Sequence, residues 1–201
     1  MSAALRHAMA PFVAMLRRPG MRRANAKALA ARVVDGVDRA EWFELGGTRQ
    51  WVTLRSARAG NPLLLVVIGG PASPYIPFNP QLASWENDFT VVQWDPRGTG
   101  RTFLRNGPDA DLSVGRIAAD GVELARRLRL EYPEAPVVLM GSSVGTVIAR
   151  RMADTAPELF DWFVGANQVG VHSRTASWNE TPARFIRNVN TSPDSPQPKH
   201  L

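Results

Sequence analysis

The stretch Pro136-Val-Val-Leu-Met-Gly-Ser-Ser-Val-Gly-Thr-Val-Ile148 decides how the rest of this chain is read. Val137 to Met140 is a short apolar run bounded by Pro136 and Gly141, the pattern of a buried strand. Gly141-Ser142-Ser143-Val144-Gly145 follows at once as a Gly-x-Ser-x-Gly pentapeptide, and Thr146 to Ala153 reads as a helix. Strand, Gly-flanked turn and helix make a backbone that doubles back with a serine at its tip. Such a turn needs small residues on both sides, and Ser143 is expected to be strained there. The helix N-terminus would point at whatever the Ser143 hydroxyl attacks.

Upstream, Glu41–Leu45 and Gln50–Arg55 alternate apolar and polar residues around Gly46-Gly47, which predicts a hairpin at a sheet edge. Leu63 to Ile68 is apolar throughout, as in a strand covered on both faces, and ends in Gly69-Gly70-Pro71. Pro71, Pro74, Pro77 and Pro80 hold the next loop extended, and a short helix is expected over Gln81–Asn87. Phe89–Trp94 is the next buried strand, closed by Asp95-Pro-Arg-Gly-Thr-Gly-Arg101. Between Leu112 and Tyr132, Ile117, Leu124 and Leu128 recur at helical spacing until Pro133 stops the run. Downstream, Leu159–Gly165 reads as a further strand. Alternation of strands and helices predicts an α/β fold, a mostly parallel sheet with helices on both faces.

With 201 residues the chain is one domain, large enough to bury about 70% of its unfolded surface. It has no cysteine, so disulfides, thiol nucleophiles and Cys-based metal sites are excluded. His7, His172 and His200 are far apart in sequence and no HExxH occurs, so neither a metal nor another cofactor is expected. The net charge of +6 comes almost wholly from arginine, since Lys27 and Lys199 are the only lysines. These arginines are scattered without aromatic interleaving, which argues for solvated faces and against a nucleic-acid partner. No run approaches the roughly 18 apolar residues of a membrane span, and a cytoplasmic location is the expectation.

Residues 1–40 form a basic N-terminal extension, with no acidic residue before Asp35. Pro11 breaks the Ala8–Leu16 apolar run and Arg17-Arg18 closes it, a poor match to a secretory signal. The Arg-rich, acid-poor composition also fits a transit peptide, and a helix lying on the domain surface fits it equally. Residues 41–170 carry the strand and helix pattern, and 171–201, with Thr191-Ser-Pro-Asp-Ser-Pro-Gln-Pro198, read as an irregular, disordered tail.

Three motifs in order, Ile68-Gly-Gly-Pro-Ala72, Asp95-Pro-Arg-Gly-Thr-Gly100 and Gly141-Ser-Ser-Val-Gly145, resemble those of the α/β-hydrolase fold. More narrowly they are similar to the proline iminopeptidase group of serine peptidases. That group carries His-Gly-Gly-Pro-Gly, Asp-Gln-Arg-Gly-x-Gly and Gly-x-Ser-Trp-Gly at the matching places. The resemblance spans roughly Leu45 to Gly170. It implies that Ser143 is a nucleophile attacking a peptide or small ester or amide through an acyl-enzyme. It further implies an oxyanion hole from the N–H groups of Val144 and Gly70, since Pro71 has none to give. Asp95 and Arg97 are expected to brace their loop by an ion pair and backbone hydrogen bonds. Ile68, Ala72, Pro96 and Val144 depart from the group's pattern.

In this fold the triad runs serine, acid, histidine along the chain. The resemblance places the acid and histidine after later strands, beyond a helical cap, so the sequence reads as truncated before the cap and the last strands. Asp154, Asp161, Asp194, His172 and His200 follow Ser143, yet none follows a recognisable later strand, and the triad acid and base are left unassigned. A sheet short of its final strands would present an open apolar edge prone to self-association. The expected function is release of an N-terminal residue, proline above all, from peptides. The alternatives are an esterase or amide hydrolase of the same fold, or a catalytically inactive fragment.

Overall fold

The computed structural model describes residues 18–69, 73–74, 76, 79–109 and 111–168. They build one six-stranded sheet in the order β1-β2-β4-β3-β5-β6. Its strands are β1 (Asp38–Leu45), β2 (Thr48–Arg55), β3 (Leu63–Val67), β4 (Thr90–Asp95), β5 (Val137–Ser142) and β6 (Trp162–Ala166). The first two form the expected hairpin, Leu45 opposite Thr48. Gly46 and Gly47 both have positive φ (55° and 75°), the backbone of a two-residue turn whose twist matches the strands. β2 joins β4 antiparallel, and from β4 through β3 and β5 to β6 the sheet is parallel. Every residue of β3 is buried, as its unbroken apolar run predicts.

Helices cover both faces. α4 (Val114–Glu131) and α5 (Gly145–Thr155) lie on one face, where Leu45, Val52, Leu54, Leu63, Leu65, Val92, Val137 and Leu139 meet Val122, Leu124, Leu128, Ile148 and Met152. α4 and α5 approach closely at Gly121, where a Cβ would stand 2.7 Å from the Met152 sulfur. The other face carries a smaller cluster of Leu64, Val66 and Val91, backed by Trp85 and Phe89. α3 (Gly100–Asn106) lies over the hairpin there, Arg101 stacked on Trp51 at 4.6 Å and Arg105 on Trp42 at 4.9 Å.

Element bounds differ from the sequence expectations where local chemistry intervenes. The short helix expected over 81–87 is α2 (Asn79–Leu82) followed by a separate 3₁₀ turn, Trp85–Asn87. The 112–132 helix begins at Val114, because the Ser113 hydroxyl caps it by accepting the Arg116 N–H at 3.2 Å. The strand expected from Leu159 starts only at Trp162. Pro157 opens a 3₁₀ turn over Pro157–Leu159, and pairing with β5 begins when Asp161 N–H reaches the Val137 carbonyl at 2.9 Å. β6 is the last strand among the described residues, with Trp162 40% and Val164 44% exposed.

Of the basic extension, residues 18–30 form a helix, α1, almost wholly exposed. Its C-terminal end is tied to the domain. Arg55 donates to the Leu29 carbonyl at 3.0 Å, and Arg32 donates to the Ala83 carbonyl at 2.7 Å and to Asn87 at 3.0 Å. Arg55 is itself buried in ion pairs with Glu86 (2.9 Å) and Asp38. Residues 1–17 and the tail expected over 171–201 lie outside the described residues. Among those described, no helix is long and apolar enough to cross a membrane.

Candidate active site

The turn between β5 and α5 places Ser143 at the C-terminal edge of the parallel sheet. Its φ is +51°, a left-handed conformation that costs a non-glycine residue free energy and persists only where the surroundings enforce it. Three enforcements are visible. The Ser143 N–H donates to the Ala166 carbonyl of β6 at 3.0 Å. The Ser143 carbonyl accepts both the Thr146 N–H (2.9 Å) and the Thr146 hydroxyl (2.6 Å). Neighbouring backbone then fills the space on either side.

The flanking glycines of the pentapeptide owe their identity to that crowding. A Cβ on Gly141 would lie 2.7 Å from Thr146 Cα and 3.0 Å from Ala149 Cβ, because α5 folds back directly onto β5. A Cβ on Gly145 would lie 2.6 Å from the Ile68 carbonyl carbon and would also overlap the Val67 carbonyl, because β3 ends against the first turn of α5. Gly69 shows the same from the β3 side. A Cβ there would overlap Ser143 Cβ, stand 2.5 Å from the Ser142 carbonyl and 3.0 Å from Ser143 Oγ. The turn after β3 and the serine turn after β5 are thus in contact. Gly70, Pro71 and Ala72 lie outside the described residues. Val144 heads α5 at its N-cap, where backbone N–H groups have no partner within the helix.

The Asp95–Arg101 loop is braced, but not by the ion pair expected between Asp95 and Arg97. Arg97 turns away to Asp120 on α4 (Nε to Oδ2, 2.5 Å; Nη2 to Oδ1, 3.1 Å) and to Asp109 (2.8 Å). The hydrogen bond that Arg97 donates to Asp120, together with the charges of Asp120 and Asp109, holds the Arg97 guanidinium above its ordinary pKa against the opposing effect of burial. Asp120 also accepts from Gln50 at 2.7 Å, and Gln50 accepts from the Trp94 indole at 2.8 Å. The hairpin joins this network at Gly46, whose carbonyl accepts from Arg97 (3.3 Å) and Arg116.

Asp95 faces α3 instead. Its Oδ2 accepts the Arg101 N–H at 2.9 Å, Thr102 Oγ1 bonds its carbonyl at 2.6 Å, and Oδ1 is buried with no hydrogen-bond partner among the described residues. Burial pushes the Asp95 carboxyl above the usual carboxylate range, against the pull of the Arg101 N–H and charge. A raised folded-state value means that the folded state binds the proton more tightly than the unfolded chain. Stability from this group is therefore full at acid pH and is lost as pH rises from the ordinary carboxylate value through the raised one. Asp95→Asn keeps an acceptor for Arg101 and carries no charge. It is expected to raise the urea midpoint at neutral pH and to flatten its decline across the carboxylate range, measured against the parent at matched pH values.

A cavity of about 290 Å³ lies beside the turn. Val66, Val67 and Ile68 at the end of β3, Ser73, Trp94 and Pro96–Thr99 around the end of β4, Leu112, Val114 and Ile117 at the start of α4, and Val144 and Ile148 at α5 contribute its walls. Ile68 immediately precedes Gly69, and Val144 immediately follows Ser143.

Neither aspartate described after Ser143 reaches it. Asp154 pairs with Arg150 at 2.8 Å in the last turns of α5, on the outer surface. Asp161 accepts from Arg129 (2.5 Å) and the Val137 N–H (2.7 Å) at the start of β5. That is the opposite end of the strand from Ser143, about 17 Å away at the rise of an extended chain. His172, Asp194 and His200 lie outside the described residues. The structure adds one residue that the sequence analysis did not single out. Asn167 also has a left-handed backbone (φ +50°) and directly follows Ala166, the acceptor of the Ser143 N–H. Asparagine tolerates this conformation better than most residues, the only signal that could have marked it.

Comparison with known proteins agrees with this geometry. The family model described as serine aminopeptidase, S33, matches residues 75–192, more than half of the chain. A probable aminopeptidase, YbaC, of Bacillus subtilis is 29% identical over 128 residues, covering 63% of this chain and 40% of the relative. Two solved structures share the fold. A proline iminopeptidase-related protein from Thermus thermophilus has a TM-score of 0.53 at 22% identity, covering 64% of this chain and 44% of its own. A thermostable carboxyl esterase from Bacillus coagulans has a TM-score of 0.56 at 21% identity, covering 69% and 46%. The chain thus spans less than half the length of each of these proteins. With its sheet order, its serine turn and this match, the chain belongs to the serine aminopeptidase S33 family of α/β-hydrolases.

Proposed function

We propose that Ser143 is the nucleophile of a serine hydrolase that releases an N-terminal residue, proline by preference, from peptides. The observation that carries this reading is the left-handed Ser143 held between β5 and the N-terminus of α5, with Gly69 packed against it. In the reaction Ser143 Oγ bonds to the acyl carbon and the bond to the leaving nitrogen breaks. The serine proton passes to a base and on to the departing amine, and water then hydrolyses the acyl-enzyme. The developing oxyanion would be held by the Val144 N–H and by that of Gly70, donors each worth about 10²–10³ in rate. Asp154 and Asp161 supply neither the base nor its orienting acid, which stay unassigned.

A second reading, an esterase or amide hydrolase, is favoured by one observation. The described residues that line the adjacent cavity include no carboxylate to receive a substrate ammonium. Labelling with a fluorophosphonate probe tests the reading shared by both. Labelling is expected in the parent and lost in Ser143→Ala. A well-folded parent that does not label, or labelling that survives in Ser143→Ala, would sink it. Rates on prolyl p-nitroanilide against short-chain p-nitrophenyl esters then separate peptidase from esterase.

A further inference from the structure

We infer that helix α1 docks on an anionic phospholipid surface, its basic side chains among the headgroups and its small apolar stripe against the acyl boundary. The first support is the distribution of charge. Residues 1–34 hold seven basic residues and no acidic one, whereas residues 35–168 hold 13 basic against 16 acidic. The sheet domain by itself is net acidic, so the positive charge of the chain is concentrated in this segment. Within the domain, Arg39, Arg55, Arg97, Arg127 and Arg129 each pair with a carboxylate. Arg18, Arg22, Arg23 and Lys27 of α1 are exposed and form no ion pair among the described residues.

The second support is the arrangement around the helix. Met21, Ala24 and Ala28 fall in one stripe, with Arg18 and Arg22 on one side of it and Arg23 and Lys27 on the other. Met21 is 60% exposed. A helix this short that buries almost nothing is marginal in water. A bilayer interface accepts the stripe while the long basic stems reach the headgroups. A polynucleotide would engage the charges and leave the stripe uncovered. Position is the third support. Arg55, which holds the Leu29 carbonyl, lies opposite Val91 at the start of β4. The helix is thus rooted at the end of the parallel strands opposite Ser143, and docking through it does not call on the serine turn.

The test is co-sedimentation of the full chain with vesicles of phosphatidylcholine and phosphatidylglycerol, with phosphatidylcholine vesicles as the reference. Binding is expected to the anionic vesicles alone and to fade as sodium chloride is raised, because salt shortens the reach of each charge. Each basic side chain near such a surface is worth about fivefold in partitioning. Replacing Arg18, Arg22, Arg23 and Lys27 together with glutamine, which keeps helix propensity, should therefore weaken binding by about 10²–10³-fold. Met21→Gln, which removes apolar surface and no charge, should weaken it by about tenfold. Arg126→Gln, at an exposed arginine of α4, should stay within about twofold of the parent. Should the fourfold variant fail to fold, Met21→Gln and the salt dependence of the parent carry the test. Equal binding to both kinds of vesicle, binding to neither, or anionic binding that survives the fourfold substitution or Met21→Gln overturns the proposal. Binding to a double-stranded DNA oligonucleotide as tight as to anionic vesicles, and indifferent to Met21→Gln, would assign α1 to nucleic acid and overturn it as well.

Discussion

Replacing Asp120 with alanine is expected to lower the unfolding free energy by about 3–5 kcal/mol, the range for breaking a buried ion pair on one side. Asp120 is 1% exposed, accepts hydrogen bonds from Gln50 of β2 and Arg97 of the loop after β4, and forms an ion pair with Arg116 of its own helix α4 at 3.6 Å. Without it the Arg97 guanidinium stays buried with Asp109 as its remaining carboxylate, and the Gln50 amide loses its acceptor. The stranded charge, rather than the lost attraction, dominates the cost. In a domain of this size the melting temperature should fall on the order of 10 °C. The discriminating control is the double variant Asp120→Leu with Arg97→Leu, which removes both charges and should be less damaging than Asp120→Ala alone. A loss below about 1 kcal/mol for Asp120→Ala, read from urea midpoints, would contradict the assignment of a buried charge network.

Gly69→Ala is expected to slow fluorophosphonate labelling of Ser143 by about 100-fold, the scale for a reacting group displaced by about 1 Å. The added methyl would overlap Ser143 Cβ and press on the Ser142 carbonyl, and both are backbone-anchored atoms of a turn already held in a left-handed conformation. Stability should fall by only about 1–3 kcal/mol, as for other overpacked sites, so the protein remains folded at room temperature. Gly20→Ala is the matched control, because a Cβ there meets nothing within 4 Å. Labelling rates within twofold of the parent in a folded Gly69→Ala variant would show that the β3 turn does not govern the serine.

Most of the architecture was legible because each strand carried its own signature. The unbroken apolar run of β3, the alternation of β1 and β2 around two glycines, and Gly-x-Ser-x-Gly between a strand and a helix all act over a few residues. The family resemblance was legible for the same reason, resting on three short motifs. What escaped acts at a distance. Arg97 was expected to pair with Asp95, two residues away, whereas it reaches Asp109 and Asp120, brought to it by the placement of α4. The cavity was invisible because its walls come from five separate stretches between Val66 and Ile148. The delayed start of β6 was set by Pro157 and by the point where Asp161 meets β5.

The bond from the Ser143 N–H to Ala166 ties the serine to β6, an edge strand that among the described residues pairs only with β5. Edge strands open more readily than central ones, with free energies well below that of global unfolding. Each opening of β6 would remove one of the three constraints on Ser143 and let its backbone relax toward an ordinary right-handed or extended conformation. The strain at the serine is therefore stored in a spring anchored at its weakest wall. Whatever braces β6 from its outer side would also set how long Ser143 remains cocked.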